Sequence, residues 1–103
     1  MATRERRLHV ALQDGFDDEP VLVRVDGEEV YRREAVRTDY RISLADSFDH
    51  PVPDDSVMLE VTLPRRGLSD SLRVDVGATP HVGISCVDGA IRWRPSSEPF
   101  GYV

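Results

Sequence analysis

The sequence predicts an all-β fold: a two-layer antiparallel β-sandwich of about seven or eight strands, immunoglobulin-like in its architecture. Three observations support this prediction. Apolar residues recur at every second position along most of the 103-residue chain. Turn-forming residues separate these runs at short intervals, and no stretch keeps a helical period for three turns. A small β-barrel is the alternative, because its strands would show the same alternation.

The alternating runs define the predicted strands. Each run places its apolar residues on one face of a strand, as half-burial in a sheet requires. The runs are Leu8/Val10/Leu12, Val21/Val23/Val25, Ile42/Leu44, Val57/Leu59/Val61/Leu63, Leu72/Val74/Val76, Val82/Ile84/Cys86 and Ile91/Trp93. The acidic, proline-containing stretch 46–56 (DSFDHPVPDDS) is predicted to be a loop.

Two hairpins can be aligned from the sequence. Asp26-Gly27 and Asp88-Gly89 each suit a two-residue type I′ turn, which requires positive φ at both positions. The first alignment places Val23 opposite Val30, Leu22 opposite Tyr31, and Arg24 opposite Glu29 as a cross-strand ion pair. The second places Cys86 opposite Ile91, Ile84 opposite Trp93, and Ser85 opposite Arg92.

Length and charge limit the number of domains and the classes of partner. One β-sandwich domain is expected over residues 1–103, since a chain of this size buries enough surface for a single core. Residues 1–5 are expected to be disordered. Thirteen basic residues against nineteen acidic ones give a net charge of −6. This charge disfavours nucleic acids and anionic membranes as partners.

Residue usage also suggests a source and a compartment. Every basic residue among the thirteen is an arginine, and the chain has neither lysine nor asparagine, which points to a GC-rich, bacterial genome. Cys86 is the single cysteine, so no internal disulfide can form. We find no secretory leader and no run long enough to span a membrane. A cytoplasmic location is therefore expected.

The sequence offers little that could support catalysis. Ser85 and His81 share a strand face, but four residues along a strand separate them by about 13 Å, beyond hydrogen-bond reach. Cys86 faces the opposite side and has an apolar partner, so it is expected to act as a small buried hydrophobe. We predict a protein that is not an enzyme, with no catalytic residue and no cofactor.

Two kinds of ligand remain as alternatives, both reached through loops at one end of the sandwich. Calcium could use two acidic stretches, Asp14–Glu19 and Asp46–Asp55, although neither has the spacing of an EF-hand loop. Carbohydrate could stack on exposed Tyr31 and Tyr40, whereas Trp93 is assigned to the core. No metal ligand is predicted, and binding of a small molecule stays undecided.

The last residues are the candidate site. Pro95 cannot donate to a strand ladder, so it is expected to end the final strand and begin a tail over 95–103. The tail places three apolar residues, Phe100, Tyr102 and Val103, in a polar context. They are expected either to cover an open end of the sandwich or to bind a partner. The predicted function is protein–protein interaction or self-association, with another protein or a homodimer as the partner.

Overall fold

Eight strands form two four-stranded sheets in the computed structural model, which describes residues 6–101. The strands are β1 (Arg6–Leu12), β2 (Glu19–Val25), β3 (Glu28–Val36), β4 (Asp46–Val52), β5 (Ser56–Leu63), β6 (Leu68–Asp75), β7 (His81–Val87) and β8 (Ala90–Ser96). Sheet A has the order β4-β1-β7-β8, and sheet B has the order β3-β2-β5-β6. Both sheets are open, so the predicted sandwich is confirmed over a closed barrel and is consistent with an immunoglobulin-like arrangement.

Sheet A is mixed rather than wholly antiparallel. Strands β1 and β7 run parallel, with His9 beside His81 and Leu12 beside Ile84. Every other pair of neighbouring strands in the two sheets is antiparallel. Apolar alternation has the same period in both kinds of pairing, so it could not reveal the direction of β1 relative to β7.

The core lies between the two sheets and consists mainly of the predicted alternating aliphatic residues. Along β5 every second side chain is fully buried, which is the expected pattern for a strand with one face toward the core. The most buried large side chains are Leu8, Val10, Leu12, Phe16, Val21, Val23, Val52, Val57, Leu59, Leu63 and Ile84.

Two predicted elements are wrong: one predicted strand is a turn, and one predicted loop contains a strand. Residues 40–43 form a turn closed by a bridge between Asp39 and Leu44, so Ile42 and Leu44 do not lie in a strand. The stretch expected to be a loop contains β4, which pairs with β1 along its whole length. As an edge strand, β4 has only one covered side and can carry charges and Pro51, which made it resemble a loop in the sequence.

The first hairpin has the predicted turn but a different register. Asp26 and Gly27 both have positive φ, at 50° and 83°, as a type I′ turn requires. Arg24 lies opposite Glu29 as predicted, but an irregularity then pairs Val23 with Tyr31 instead of Val30. The shift turns Tyr31 inward, where its ring stacks on Phe48 at a centroid distance of 4.8 Å.

Two expected contacts of this hairpin do not form, the first because of the shift and the second because both side chains have other partners. Leu22 lies opposite Arg32 rather than Tyr31. The predicted Arg24–Glu29 ion pair does not form, because Arg24 bonds Glu60 of β5 while Glu29 bonds Arg32 of its own strand.

The second hairpin is confirmed in full. Asp88 and Gly89 have φ of 52° and 76°, and all three predicted cross-strand pairs are present. Two details differ beyond the turn. Strand β8 continues past Pro95 to Ser96, so Pro95 does not end it. Trp93 is only half-buried, since it lies on an edge strand.

Hydrogen bonds join the two sheets along both sides of the sandwich. On one side the indole Nε1 of Trp93 in β8 donates to a carboxylate oxygen of Asp70 in β6, at 2.8 Å. On the other side the hydroxyl of Tyr31 in β3 donates to a carboxylate oxygen of Asp46 in β4, at 2.7 Å. In residues 6–101 no helix is long and apolar enough to cross a membrane.

Candidate partner-binding face

The outer face of sheet A combines histidines, arginines and the end of the described chain. Because side chains alternate along a strand, the residues between the buried ones point away from the core. The outer face consists of Arg7, His9 and Ala11 of β1, Ser47, Asp49 and Pro51 of β4, His81, Gly83 and Ser85 of β7, and Arg92, Arg94 and Ser96 of β8.

Two imidazoles lie side by side in one row of this face. Strand register aligns Asp49, His9, His81 and Ser96 across all four strands. Nδ1 of His9 is 2.6 Å from a carboxylate oxygen of Asp49, and the two imidazole centroids are 5.4 Å apart. Nδ1 of His81 is buried and has no hydrogen-bond partner among the described residues.

The hydroxyl predicted to share this face is used elsewhere. Ser85 lies on the same face as His81, as expected, and its Oγ accepts a hydrogen bond from the backbone N–H of Asp14 at 3.2 Å. Neither His9 nor His81 bonds a hydroxyl within the described part of the chain. The pair of residues needed for nucleophilic catalysis, a hydroxyl beside an imidazole, is therefore not assembled on this face.

Arginines that bond no oxygen atom concentrate on the outer face. Of the twelve arginines between residues 6 and 101, eight donate to a carboxylate, carbonyl or hydroxyl oxygen. The other four are Arg7, Arg37, Arg92 and Arg94, and three of these lie on the outer face. Arg92 and Arg94 alternate on β8, so their side chains project in the same direction. The face is consequently positive on a chain of net charge −6.

Phe100 folds back onto this face. Its ring packs edge-to-face on His81, with centroids 6.4 Å apart, and the guanidinium carbon of Arg94 lies 5.2 Å from the ring centroid. A tight turn supports this path, since Oγ of Ser96 donates to the carbonyl of Glu98 and accepts a bond from its N–H. Phe100 thus lies against the outer face of sheet A, not over an open end of the sandwich.

A pocket of about 210 Å³ lies beside Phe100, between the turn at residues 40–43 and the C-terminal segment. Its lining combines one cation, one carboxylate, an amide, a hydroxyl and two apolar side chains. The lining residues are Gln13, Asp14, Ile42, Ser43, Arg94, Phe100 and Gly101. The side chain of Gln13 lies directly against Gly83, where a Cβ would be 2.4 Å from its amide oxygen.

The two alternative ligand sites are not assembled as the sequence suggested. Tyr31 is buried, whereas Tyr40 is 68% exposed, so they form no shared platform for a sugar ring. The carboxylates of the two acidic stretches do not converge, and residues 6–101 contain no group of three or more metal-ligating side chains placed to hold an ion.

One of those carboxylates is instead part of a buried ion pair. The side chain of Glu19 is fully buried, and its two oxygens accept bonds from the guanidinium of Arg66. Burial raises the pKa of Glu19, but the bonds from Arg66 and from the Asp17 amide outweigh it and hold the pKa below its ordinary value. Cys86 is buried as predicted, and its Sγ accepts a bond from Arg66. No sequence pattern indicated this contact.

The structure places one of the three predicted partner-binding residues. Phe100 joins the outer face, while Tyr102 and Val103 lie outside the described residues. The histidines and arginines of the face were missed, because nothing in the sequence shows that β8, β7, β1 and β4 are neighbours. In comparisons with known proteins, no family model, no curated protein and no solved structure matches this chain.

Proposed function

We propose that this chain is a non-enzymatic binding module of the bacterial cytoplasm that binds another protein through the outer face of sheet A. The observation that supports this most is the concentration of Arg7, Arg92 and Arg94 on one face of an acidic chain, where they bond no oxygen atom of residues 6–101. A free guanidinium can form two parallel bonds to a carboxylate, which makes arginine frequent at protein interfaces.

Binding through a face agrees with the state of the sheet edges. Strand addition needs an exposed edge with free backbone groups. Both edges of sheet A contain a proline, Pro51 in β4 and Pro95 in β8, which has no N–H to donate. The edge strands of sheet B are β3 and β6. Strand β3 contains the register shift near Val30, and β6 contains Asp70, whose charged side chain bonds Trp93 of sheet A. These are features that oppose edge-to-edge pairing.

Charge favours a different, acidic protein over a second copy. In a symmetric dimer the same patch meets itself, so Arg92 and Arg94 would face their own copies across the interface. Like charges brought together in this way oppose association. A partner with a carboxylate-rich surface has the complementary charge.

The test exchanges one arginine of the face for an acid. Arg92→Glu should reduce capture of the partner from an extract of the source organism at least tenfold at physiological salt, because it reverses a charge at the contact. Arg37→Glu is the matched control, since Arg37 is also exposed, also lacks an oxygen partner, and lies outside sheet A. Equal loss, or no loss, in both variants would contradict the proposal.

Light scattering on the intact chain separates the two kinds of partner. We expect the molar mass of a monomer at all concentrations tested. A dimer that Arg92→Glu dissociates would instead assign the face to self-association, the other outcome that the sequence left open.

A further inference from the structure

We propose that residues 97–101 act as a built-in pseudo-ligand, held by a clip made of His81 and Arg94. The clip would accept, in place of Phe100, an aromatic side chain that lies two residues after an acidic one in an extended partner segment. This inference rests on the proposed function and names the chemistry of the partner.

Phe100 is held by the clip and not by the core. Its ring contacts are with two side chains of the outer face, the edge of His81 and the guanidinium of Arg94. Phe100 is half-buried and does not belong to the hydrophobic cluster between the sheets. Such contacts are individually weak, so the ring can leave the clip without disturbing the fold.

The clip contains unused binding capacity. Nδ1 of His81 is buried and has no hydrogen-bond partner in residues 6–101, which is rare for a buried polar atom. Arg92, two residues before Arg94 on the same face, bonds no oxygen atom in the described part of the chain. Phe100 therefore packs on the clip through its ring alone. Among residues 6–101, Nδ1 of His81 is left without a hydrogen-bond partner and Arg92 without an oxygen partner.

The segment itself shows which chemistry fits. An acidic residue and a proline, Glu98 and Pro99, directly precede Phe100. Proline favours an extended backbone in the residue before it, so an acid–proline–aromatic segment presents its ring at low entropic cost. An external segment of this kind could place its aromatic ring in the clip and a carboxylate against Arg92.

The neighbouring pocket gives such a segment room to continue. Arg94 and Phe100 both line this pocket, whose volume is about 210 Å³. Asp14 and Gln13 also line it. A polar side chain that follows the aromatic residue is therefore preferred there over a second carboxylate.

The tethered segment must compete with any external one. Tethering gives residues 97–101 a high effective concentration at the clip. The apparent affinity for an external segment equals the intrinsic affinity multiplied by the fraction of molecules in which the clip is free. Removing the ring of Phe100 should therefore strengthen external binding, the opposite of what loss of a contact residue normally does.

Fluorescence anisotropy with a labelled peptide of sequence SSEPFG, residues 96–101 of this chain, tests the competition. The full-length Phe100→Ala variant should bind the peptide about tenfold more tightly than the wild-type chain, as expected if the clip is free in about a tenth of the molecules. Adding Arg94→Ala to Phe100→Ala should abolish this gain. A peptide with alanine in place of phenylalanine should not bind.

Tyr40→Ala is the matched control, because Tyr40 is an exposed aromatic residue that lies outside the outer face. It should bind the peptide like the wild-type chain. Thermal melts should show that Phe100→Ala remains folded. Equal peptide affinity of Phe100→Ala and wild type, or equal binding of the alanine peptide, would overturn the inference.

Two further outcomes are distinct from these. If Arg92→Glu loses the protein partner but no variant binds the peptide, the pseudo-ligand is wrong and the protein-binding function stands. If the wild-type chain forms a dimer that Phe100→Ala abolishes, the clip holds the segment of a second copy, which overturns the assignment to a different protein.

Discussion

Gly15 illustrates how a single residue determines the path of a loop. The loop after β1 passes so close to the end of β7 that a Cβ at Gly15 would lie 1.7 Å from the carbonyl oxygen of Cys86. The backbone at Gly15 also has φ of +89°, a conformation that residues other than glycine adopt at a cost. Gly27 has nearly the same φ, +83°, but a Cβ there would meet nothing within 4 Å.

This pair of glycines allows a matched prediction. Gly27→Ala should lower the free energy of unfolding by about 1–2 kcal/mol, the cost of a left-handed backbone alone. Gly15→Ala should cost more than about 3 kcal/mol or prevent folding, because the backbone must also move away from Cys86. Urea denaturation of both variants gives the comparison, and equal losses would show that the loop can move freely.

The ion pair between Glu19 and Arg66 is the second feature at the scale of single residues. Arg66 lies just after β5 and also donates to the carbonyl of Gly15, so one guanidinium connects the loop before β2 to the turn after β5. Its other bond, to Cys86, reaches the end of β7 in the other sheet. A buried carboxylate without this partner would be costly.

Glu19→Gln should lower the free energy of unfolding by about 2–4 kcal/mol at neutral pH, because Arg66 loses the charge that compensates its partial burial. The folded chain holds the pKa of Glu19 below its ordinary value of 4.5. Its contribution is therefore complete above that pH and is lost as the pH falls toward the folded pKa.

Denaturation curves from pH 7 downward should show the wild-type chain and Glu19→Gln converging in stability below about pH 4.5. Glu60→Gln is the control, because Glu60 bonds Arg24 on a partly exposed surface, where an ion pair contributes about 0–1 kcal/mol. A constant difference between wild type and Glu19→Gln at all pH values would contradict the assignment.

At the scale of elements, the two hairpins show what local sequence can predict. The Asp-Gly turns were predicted at both positions, because only a few residues tolerate two consecutive positive φ angles. Register was right in the second hairpin and shifted in the first. The shift is a bulge that turns Tyr31 toward Phe48 and Asp46, two residues of the other sheet. A pattern within β2 and β3 cannot contain this information.

The bond from Tyr31 to Asp46 can be tested by removing one oxygen atom. Tyr31→Phe keeps the stacked ring and should lower the free energy of unfolding by about 1 kcal/mol, since Asp46 still has an ion pair with Arg33. Burial, and then the bond to Asp46, raise the pKa of Tyr31 above its ordinary 10.0.

A raised pKa of an acid means that folding favours its neutral form. The contribution of Tyr31 is therefore present below pH 10.0 and declines above it, a loss that Tyr31→Phe should not show. Tyr40→Phe should change neither quantity, because Tyr40 is 68% exposed. A Tyr31→Phe variant with wild-type stability would mean that Arg33 alone satisfies Asp46.

Edge strands are the elements that sequence patterns describe least well. Strand β4 carries acidic residues and a proline, a composition that predicts a loop, whereas the alternation of Ile42 and Leu44 predicts a strand where the structure has a turn at residues 40–43. An edge strand pairs on one side only, so it needs fewer apolar residues and tolerates charge. Central strands β1, β2, β5 and β7, with both neighbours present, were all predicted.

At the scale of the whole molecule, charge is distributed unevenly. Most described arginines bond oxygen atoms near them, and those that do not are mainly on the outer face of sheet A. On each side of the sandwich, an aromatic side chain of one sheet donates a hydrogen bond to an aspartate of the other sheet. The proposed function assigns the partner surface to the outer face of sheet A, where these arginines lie.

The sequence by itself determined the fold class, the central strands and both hairpin turns, because these depend on side-chain alternation and on backbone preferences of neighbouring residues. Only the tertiary structure decided the parallel pairing of β1 with β7, the bulge at Tyr31 and the Glu19–Arg66–Cys86 contacts. It also brought His9, His81, Arg94 and Phe100 together. Each of these depends on which distant segments become neighbours, and such long-range contacts leave no periodic trace in the chain.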